Sequence, residues 1–271
     1  MKHLLEDIIK TILQAGDIVT KIYHTAFDVN TKSDNTPVTL ADTLSSQYII
    51  NALKKHQLPI LSEEEITFNP SEQPTTSTYF IVDPLDGTRE FIKRNGEFTI
   101  NIALIEHKEP VLGVVYAPAL SLLYFGLNHF GAYKIANTHL HKLALHPEYT
   151  LDEILALADK LPVYNLPKVY TILTSRSHLD EKTIQYINNK RKEHGLIEYI
   201  RIGSSLKICL LAEGKAHEYP RFGKTMEWDT AAPHIILQEA GGNILDLKHL
   251  QPLKYHKTNF ENPDFIAYAV Y

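Results

Sequence analysis

The sequence predicts a layered α+β to α/β protein, with two helices against an antiparallel sheet in the first half and alternating helices and strands in the second. Apolar residues recur at helical spacing over residues 3–24 and predict the first helix. Short β-rich segments separated by small turns, between residues 98 and 135, predict an antiparallel meander. From about residue 169 onwards, strand and helix patterns alternate, which is typical of an α/β unit.

The other elements follow from local patterns. Thr39 precedes an apolar run and is predicted to cap a helix over residues 40–56, with an apolar stripe through Leu40, Leu44, Tyr48 and Ala52. Residues 66–78 are polar and predict a loop. The remaining predicted strands are 59–61, 79–83, 98–106, 111–117, 122–127, 131–135, 169–174, 197–202, 215–219, 243–247 and 264–270. The remaining predicted helices are 151–160, 178–192, 204–213 and 229–240, and Gly214 and Gly241 stand where two of them should end.

Composition excludes several classes of function. Lys and Arg total 27 against 32 for Asp and Glu, a formal charge of −5, so no basic excess is available to hold a nucleic-acid polymer. Cys209 is the single cysteine, so an internal disulfide is impossible. Acidic residues near the N-terminus and the lack of a long apolar run argue against a signal peptide and a membrane span. We therefore expect a cytoplasmic protein without a transmembrane segment.

The stretch that begins at Asp83 carries the main chemical signal. A buried strand should deliver Asp83 to its C-terminal end, where ligand sites gather in layered α/β proteins. Pro84 bends the chain, so the Leu85 carbonyl and the Asp86 carboxylate can face the same point as Asp83. Two carboxylates and one carbonyl form a hard-oxygen set suited to Mg²⁺. Taken alone, however, this stretch is better explained by an Asp-Pro turn followed by a helix cap.

Further polar groups strengthen the metal hypothesis. Gly87 permits a tight turn, after which the amides of Gly87 and Thr88 can open a helix toward an anion. Glu63 and Asp229 add carboxylates from distant parts of the chain, although each alone is typical of a solvated turn or a helix cap. With Asp83 and Asp86 they carry a charge of −4, which two Mg²⁺ ions would balance. Spacing alone does not establish that the four converge.

Residues 79–106 closely resemble the inositol monophosphatase superfamily, and within it the bacterial 3′(2′),5′-bisphosphate nucleotidases. Further matching motifs occur in the same order along nearly the whole chain, namely Lys32–Thr39 with Ala41–Asp42, Leu61–Glu64, Ile202–Lys207, Tyr219–Gly223 and Trp228–Ala232. The resemblance implies an αβαβα sandwich like that of the sugar phosphatases. It also implies release of the 3′-phosphate of adenosine 3′,5′-bisphosphate to give AMP, and action on 3′-phosphoadenylyl sulfate as a second substrate.

The resemblance assigns roles to individual residues. It implies two or three Mg²⁺ ions held by Glu63, Asp83, the Leu85 carbonyl, Asp86 and Asp229, with Glu64 as the alternative to Glu63. It implies a catalytic set of Thr88, Asp42 and Glu63. It implies substrate contacts from Asp86, Gly87, Thr88, Gly203, Ser204, Ser205, Lys207, Tyr219, Arg221 and Asp229, with Lys224 nearby. We expect an N-terminal subdomain, 1–137, with most metal ligands, and a C-terminal subdomain, 138–271, with Asp229 and the specificity residues.

Three departures from the family pattern stand out. Arg89 replaces a lysine and keeps its charge, whereas Pro233 replaces a small residue in what we expect to be a first helical turn, where proline is tolerated. Residues 138–168 form a longer connection than in the compact bacterial members. The resemblance also admits a peripheral location at the inner membrane, which nothing in the chain requires.

Three alternative functions stay open. The first is phosphatase activity on inositol monophosphate or fructose 1,6-bisphosphate with the same metal site. The second is a covalent aspartyl-phosphate enzyme, but that chemistry generally places its two aspartates two residues apart, whereas Asp83 and Asp86 are three apart. The third is a sensor that binds nucleotide and cation without catalysis, which would not need the pair Thr88 and Asp42.

Overall fold

Strand β4 (Thr78–Asp86) buries side chains on both of its faces. Phe80 and Val82 belong to one apolar core, and Tyr79 and Ile81 belong to a second core on the opposite face. Since successive side chains of a strand point to opposite faces, the sheet must be covered on both sides. The computed structural model describes residues 1–31, 36–65, 77–137, 139–140, 143, 148–176 and 180–270.

The first sheet is nearly all antiparallel. The elements before residue 140 are α1 (Lys2–Tyr23), β1 (Val29–Thr31), β2 (Pro37–Thr39), α2 (Leu40–Leu53), β3 (Ile60–Ser62), β4, α3 (Thr88–Ile92), β5 (Thr99–Glu106), β6 (Glu109–Ala117), β7 (Leu122–Leu127) and β8 (Gly131–Ala136). Strands β3 to β8, with β9 (Asp159–Lys160) at the edge, form a seven-stranded sheet in sequence order. Only the pair β3–β4 is parallel, which confirms the predicted meander.

The second sheet mixes parallel and antiparallel pairs. The remaining elements are α4 (Leu151–Ala156), β10 (Tyr170–Ser175), α5 (Glu181–His194), β11 (Ile197–Ile202), α6 (Leu206–Ala212), β12 (Glu218–Arg221), α7 (Glu227–Glu239), β13 (Asn243–Asp246), β14 (Gln251–Pro252) and β15 (Phe265–Tyr268). The strand order is β11-β10-β12-β15-β13-β14. The pairs of β10 with β11 and β12 are parallel, and the others are antiparallel.

Helices form three layers around the two sheets. Helices α1 and α2 pack their buried residues on one face of the seven-stranded sheet. Helices α6 and α7 lie between the two sheets and share a core with both. Helix α5 contributes Ile187 to a small core with Ile172 and Ile197 on the outer face of the second sheet. This order of layers confirms the predicted αβαβα sandwich.

Helix α2 shows where apolar periodicity misled the prediction. Thr39 is its cap, as expected, because its side chain accepts a hydrogen bond from the Ala41 amide at 3.2 Å. The expected stripe through Leu40 and Leu44 is wrong, since these side chains are 55% and 37% exposed. The buried face instead carries small polar residues such as Ser45, which donates to the Pro84 carbonyl at 2.9 Å. This face adjoins the polar segment of β4, so polarity there is compatible with burial.

Other expectations have mixed outcomes. Gly214 and Gly241 end their helices with positive φ angles of 88° and 98°, as predicted. The division near residue 137 remains a proposal, and β9 pairs with β8, so residues 159–160 lie in the first sheet. The motif at residues 32–35 and most of the predicted loop at 66–78 fall outside the described residues.

A close approach between β6 and α7 generates a stability prediction. A Cβ atom added to Gly113 would lie 2.3 Å from the Ala232 carbonyl oxygen and 2.9 Å from its Cα, and neither backbone atom can move without shifting the helix. We expect Gly113→Ala to lower the free energy of unfolding by about 3 kcal/mol. Gly223→Ala is the matched control, because its Cβ would meet neighbours no closer than 3.6 Å. Urea unfolding of both variants tests this, and equal midpoints would contradict it.

Candidate active site

A bulge in β4 brings two carboxylates to one place. Asp83 pairs with Asn101 of β5 and Asp86 pairs with Thr99, and the register shifts between them because β4 has one extra residue there. The strand therefore does not end at Asp83, as the sequence predicted, but continues to Asp86. The Leu85 amide donates to Asp83 Oδ1 at 3.0 Å, which fixes the turn of the bulge.

Helix α7 supplies the third carboxylate. Its first turn places Asp229 so that the carboxylate Oδ2 accepts from the Met226 amide at 2.8 Å. One carboxylate oxygen from each of Asp83, Asp86 and Asp229 lies within 4.8 Å of the other two. Residues that are 146 positions apart in the sequence are thus adjacent in space.

These carboxylates are poorly compensated by the protein itself. Asp83 is 1% exposed, and among the described residues its buried Oδ2 atom has no hydrogen-bond partner. Burial, followed by the charge of Glu63, raises the pKa of Asp83 well above its usual value. Burial, followed by the charge of Asp86, raises the pKa of Asp229 to about 8. A buried, orphaned carboxylate oxygen among hard-oxygen donors fits a divalent cation.

Glu63 lies beside this group. It follows β3, and its amide donates to the Val82 carbonyl of β4 at 3.2 Å. Its negative charge contributes to the raised pKa of both Asp83 and Asp229, and it lines the same pocket, as does Leu85. Glu64 is not among the lining residues, which favours Glu63 for the role that the sequence left open between the two.

Thr88 and Asp42 are joined directly. The Thr88 hydroxyl donates to Asp42 Oδ1 at 3.1 Å, and a longer contact of 3.4 Å reaches the Leu85 carbonyl. The other oxygen of Asp42, Oδ2, accepts from the amide and the hydroxyl of Thr39, both at 2.7 Å. Burial raises the pKa of Asp42, and the hydrogen bonds from Thr39 partly oppose this. Asp42 is thus a fixed, buried acceptor behind the Thr88 hydroxyl.

The loop Gly203–Ser205 joins the second half of the chain to the carboxylates. The Ser205 amide donates to Asp86 Oδ2. The Ser205 hydroxyl donates to Asn101 Oδ1 at 2.9 Å and lies 2.8 Å from the Thr99 hydroxyl. Ser204, with a positive φ of 50°, lines the pocket between the two halves.

Cationic and aromatic side chains form the opposite wall. Lys207 is 7% exposed, donates to the Ser204 carbonyl at 2.6 Å, and lies 5.3 Å from the centre of the Tyr219 ring. Burial lowers the pKa of Lys207 to about 8. Arg221 donates from Nη2 to the Lys224 carbonyl at 3.0 Å. The pocket has a volume of about 270 Å³ and is lined by all the predicted metal, catalytic and substrate residues except Asp42.

Sequence reasoning missed two residues of β5 that support the site. Thr99 and Asn101 are buried, at 0% and 1% exposed, and both contact Ser205. A signal was present, because they are the polar residues at alternate positions of an otherwise apolar strand. A polar residue on a buried strand requires partners, which here come from the other half of the chain.

Pro233 does not lie where the sequence predicted. Helix α7 begins at Glu227, so Pro233 is inside the helix rather than in its first turn. Without an N–H, it cannot form the usual bond to the carbonyl of Asp229, four residues earlier. Arg89 follows Thr88 and also lines the pocket.

A layered fold with clustered carboxylates beside a polar pocket is typical of metal-dependent phosphatases. The chain belongs to the inositol monophosphatase family, because residues 1–264 match the sequence model of that family. It is 40% identical over 268 residues to the 3′(2′),5′-bisphosphate nucleotidase CysQ of Aggregatibacter actinomycetemcomitans, covering 97% of this chain and 92% of that protein. It is 38% identical over 267 residues to CysQ of Escherichia coli K12, covering 97% and 98%.

A solved structure is also similar. CysQ from Bacteroides thetaiotaomicron, described as a bacterial member of the inositol monophosphatase family, superposes with a TM-score of 0.90 at 40% identity. The match covers 99% of this chain and 98% of that chain. Among the described residues, no helix has the length and apolar character needed to span a bilayer.

The raised pKa of Asp229 predicts a pH-dependent change in stability. A carboxyl group that titrates near 3.8 when unfolded and near 8 when folded binds more protons in the folded state between those values. In metal-free protein the penalty therefore grows as pH rises from about 4 to 8. We expect Asp229→Asn to raise the free energy of unfolding at pH 8.5 by about 1 kcal/mol or more, with a melting temperature higher by about 2–4 °C, and to change little at pH 4.5.

Thermal unfolding in chelator at both pH values, with Asp159→Asn as an exposed control, measures this difference. Added Mg²⁺ should stabilise the wild-type protein more than the Asp229 variant, which lacks one of the predicted metal ligands. An Asp229 variant less stable than wild type at pH 8.5 in chelator would contradict the interpretation.

Proposed function

We propose that this protein is a Mg²⁺-dependent phosphomonoesterase that hydrolyses the 3′-phosphate of adenosine 3′,5′-bisphosphate to give AMP and phosphate. The observation that carries the proposal is the carboxylate group of buried Asp83 with half-buried Asp86 and Asp229, beside a polar pocket, in a chain 38–40% identical to proteins named 3′(2′),5′-bisphosphate nucleotidase. 3′-Phosphoadenylyl sulfate, which carries the same 3′-phosphate, is the second proposed substrate.

Two Mg²⁺ ions are the proposed minimum, and a third is compatible with the site. Glu63, Asp83 and the Leu85 carbonyl would hold one ion, and Asp83, Asp86 and Asp229 would hold another, with Asp83 shared. The orphaned Oδ2 atom of Asp83 supports this assignment, since a buried carboxylate oxygen requires a partner. When bound, such ions stabilise the attacking and leaving oxygens of an in-line displacement.

Thr88 and Asp42 are proposed to orient the attacking water. Because the Thr88 hydroxyl donates its hydrogen to Asp42, its oxygen is left to accept a hydrogen bond from a water in the pocket. A water held in this way points a lone pair at the phosphorus atom. The raised pKa of Asp42 favours its taking up a proton through Thr88 as the P–O bond to water forms, while the 3′-oxygen leaves with the electron pair of the broken ester bond and takes a proton from solvent.

The other wall of the pocket is proposed to bind the nucleotide. Gly203, Ser204 and Ser205 form a loop at the start of α6 that lines the pocket, where Ser204 is proposed to meet phosphate or ribose oxygens, and Gly87 lines the same pocket beside Thr88. The cations Lys207 and Arg221, with Lys224 at the rim, would neutralise the 5′-phosphate. The buried ring of Tyr219 would shape the nucleoside site. The substrate is thus proposed to be a small nucleotide.

Removing one metal ligand tests the chemistry. Asp86→Asn keeps the shape of the side chain but removes its charge, so we expect Mg²⁺-dependent phosphate release to fall by about 100-fold or more while the fold survives. Far-ultraviolet circular dichroism verifies the fold, and Asp152→Asn, an exposed position on α4, is the matched control. Near-normal turnover by the Asp86 variant would refute the proposed site.

A substrate panel tests the specificity. We expect wild-type protein with Mg²⁺ to release phosphate from adenosine 3′,5′-bisphosphate faster than from inositol 1-phosphate or fructose 1,6-bisphosphate. Arg221→Ala should lower kcat/KM for the bisphosphate nucleotide by about 10- to 100-fold, since a charge-assisted contact is lost, and change inositol 1-phosphate turnover by less than about threefold. Preference of the wild type for inositol 1-phosphate would favour the alternative function.

A further inference from the structure

Glu97 joins the two halves of the molecule outside the carboxylate group. Its carboxylate accepts hydrogen bonds from Arg176 Nε at 2.7 Å and from Arg176 Nη2 at 2.6 Å. It also accepts from the Gly203 amide at 2.9 Å. Arg176 Nη2 donates in addition to the Arg201 carbonyl at 2.8 Å. One carboxylate from the segment before β5 thus fixes the ends of both β10 and β11.

The backbone of Glu97 lies at the same junction between the two halves of the molecule. A Cβ atom on Gly203 would lie 2.8 Å from the Glu97 carbonyl oxygen, and a Cβ on Gly87 would lie 3.2 Å from it. Gly87 also has a φ of 90°, which favours glycine. The Glu97 carbonyl therefore packs closely against Gly87 and Gly203, one from each wall of the pocket.

Glu97 and the metal-ligand side of the site hold different ends of the 203–205 loop. Ser205, at the end of the loop, is fixed by the hydrogen bond that its backbone amide donates to Asp86 and by the contact of its hydroxyl with that of Thr99. Gly203, at the start, is fixed by Glu97. Ser204 lies between these anchors and lines the pocket. Loss of Glu97 would release the start of the loop and leave its connection to Asp86 intact.

We propose that Glu97 and Arg176 form a positioning pair that sets the 203–205 loop for nucleotide binding, an inference that rests on the proposed function. Two parallel N–H···O bonds between a guanidinium and a carboxylate fix direction as well as distance. Under the proposed function, the loop would hold a part of the nucleotide that does not react, and such a contact is the same before and during the reaction. Loss of the pair therefore weakens binding without removing an interaction specific to the transition state, which raises KM and preserves kcat.

Steady-state kinetics on adenosine 3′,5′-bisphosphate test this proposal in the full-length protein. We expect Glu97→Ala to raise KM by about 10- to 100-fold, because small displacements of a positioning group have effects of this size. We expect kcat and the Mg²⁺ concentration at half-maximal rate to change by less than about threefold. Glu97→Gln keeps an acceptor for the Gly203 amide and should recover part of the loss in KM.

Two further variants separate positioning from general stability. Arg176→Ala combined with Glu97→Ala should raise KM no further than Glu97→Ala alone, because the residues act as one unit. Glu109→Gln removes the exposed ion pair with Lys254, which also joins the two halves but lies away from the pocket, and it should leave KM unchanged. The proposal would be overturned if Glu97→Ala lowered kcat by as large a factor as it raised KM. It would also be overturned if the change in KM simply followed the fall in melting temperature across the variants, since either result indicates a merely structural role.

The outcome is distinguishable from failure of the proposed function. Wild-type protein that does not hydrolyse the nucleotide refutes the function, and the inference with it. Wild-type protein that hydrolyses it, with an unchanged KM in Glu97→Ala, refutes the positioning pair alone.

Discussion

Asp83, Asp86 and Asp229 carry like charges, and one carboxylate oxygen of each lies within 4.8 Å of the other two. The layers on either side bury Asp83 and half-bury Asp86 and Asp229. Mutual repulsion and lost hydration both oppose this arrangement, and the raised pKa values express that opposition. Either protons or cations must compensate it. Since the protein leaves one oxygen of Asp83 without a donor, the arrangement is completed by a cation more fully than by a proton.

The fold can hold these carboxylates close together because strand pairing and helix packing fix the backbone that carries them. The bulge of β4 fixes Asp83 and Asp86 through pairing with β5. Helix α7 is pressed against the sheet at Gly113 and at Gly126, whose added Cβ would lie 3.0 Å from the Ile236 Cα. This close contact sets the height of the helix above β4, and hence the place of Asp229. Repulsion among the carboxylates therefore cannot be relieved by a small shift of one element.

Patterns in the sequence predict those parts that depend on local interactions. The meander, the Thr39 cap and the glycines that end two helices were all predictable, because each follows from residues within a few positions. The motif from Asp83 to Thr88 shows hard-oxygen chemistry for the same reason. The exposed position of Leu40 was not predictable, since α2 turns a polar face to the site and tertiary contacts decide which stripe is buried.

The spacing of residues along the sequence does not predict which distant side chains meet in the folded protein. Nothing local in Glu97, Arg176 or Gly203 indicates that they meet, because their contact depends on how the ends of β10 and β11 approach the segment before β5. Resemblance to a family predicted that Asp229 lies beside Asp83, but it did not predict the contacts that Glu97 makes between the two halves. In the proposed function, groups on one side of the pocket would act on the phosphate, and groups on the other side would hold the rest of the substrate. Because the two sides belong to different halves of the chain, the few hydrogen bonds between the halves, including those of Glu97, govern how well the pocket is shaped to bind the nucleotide.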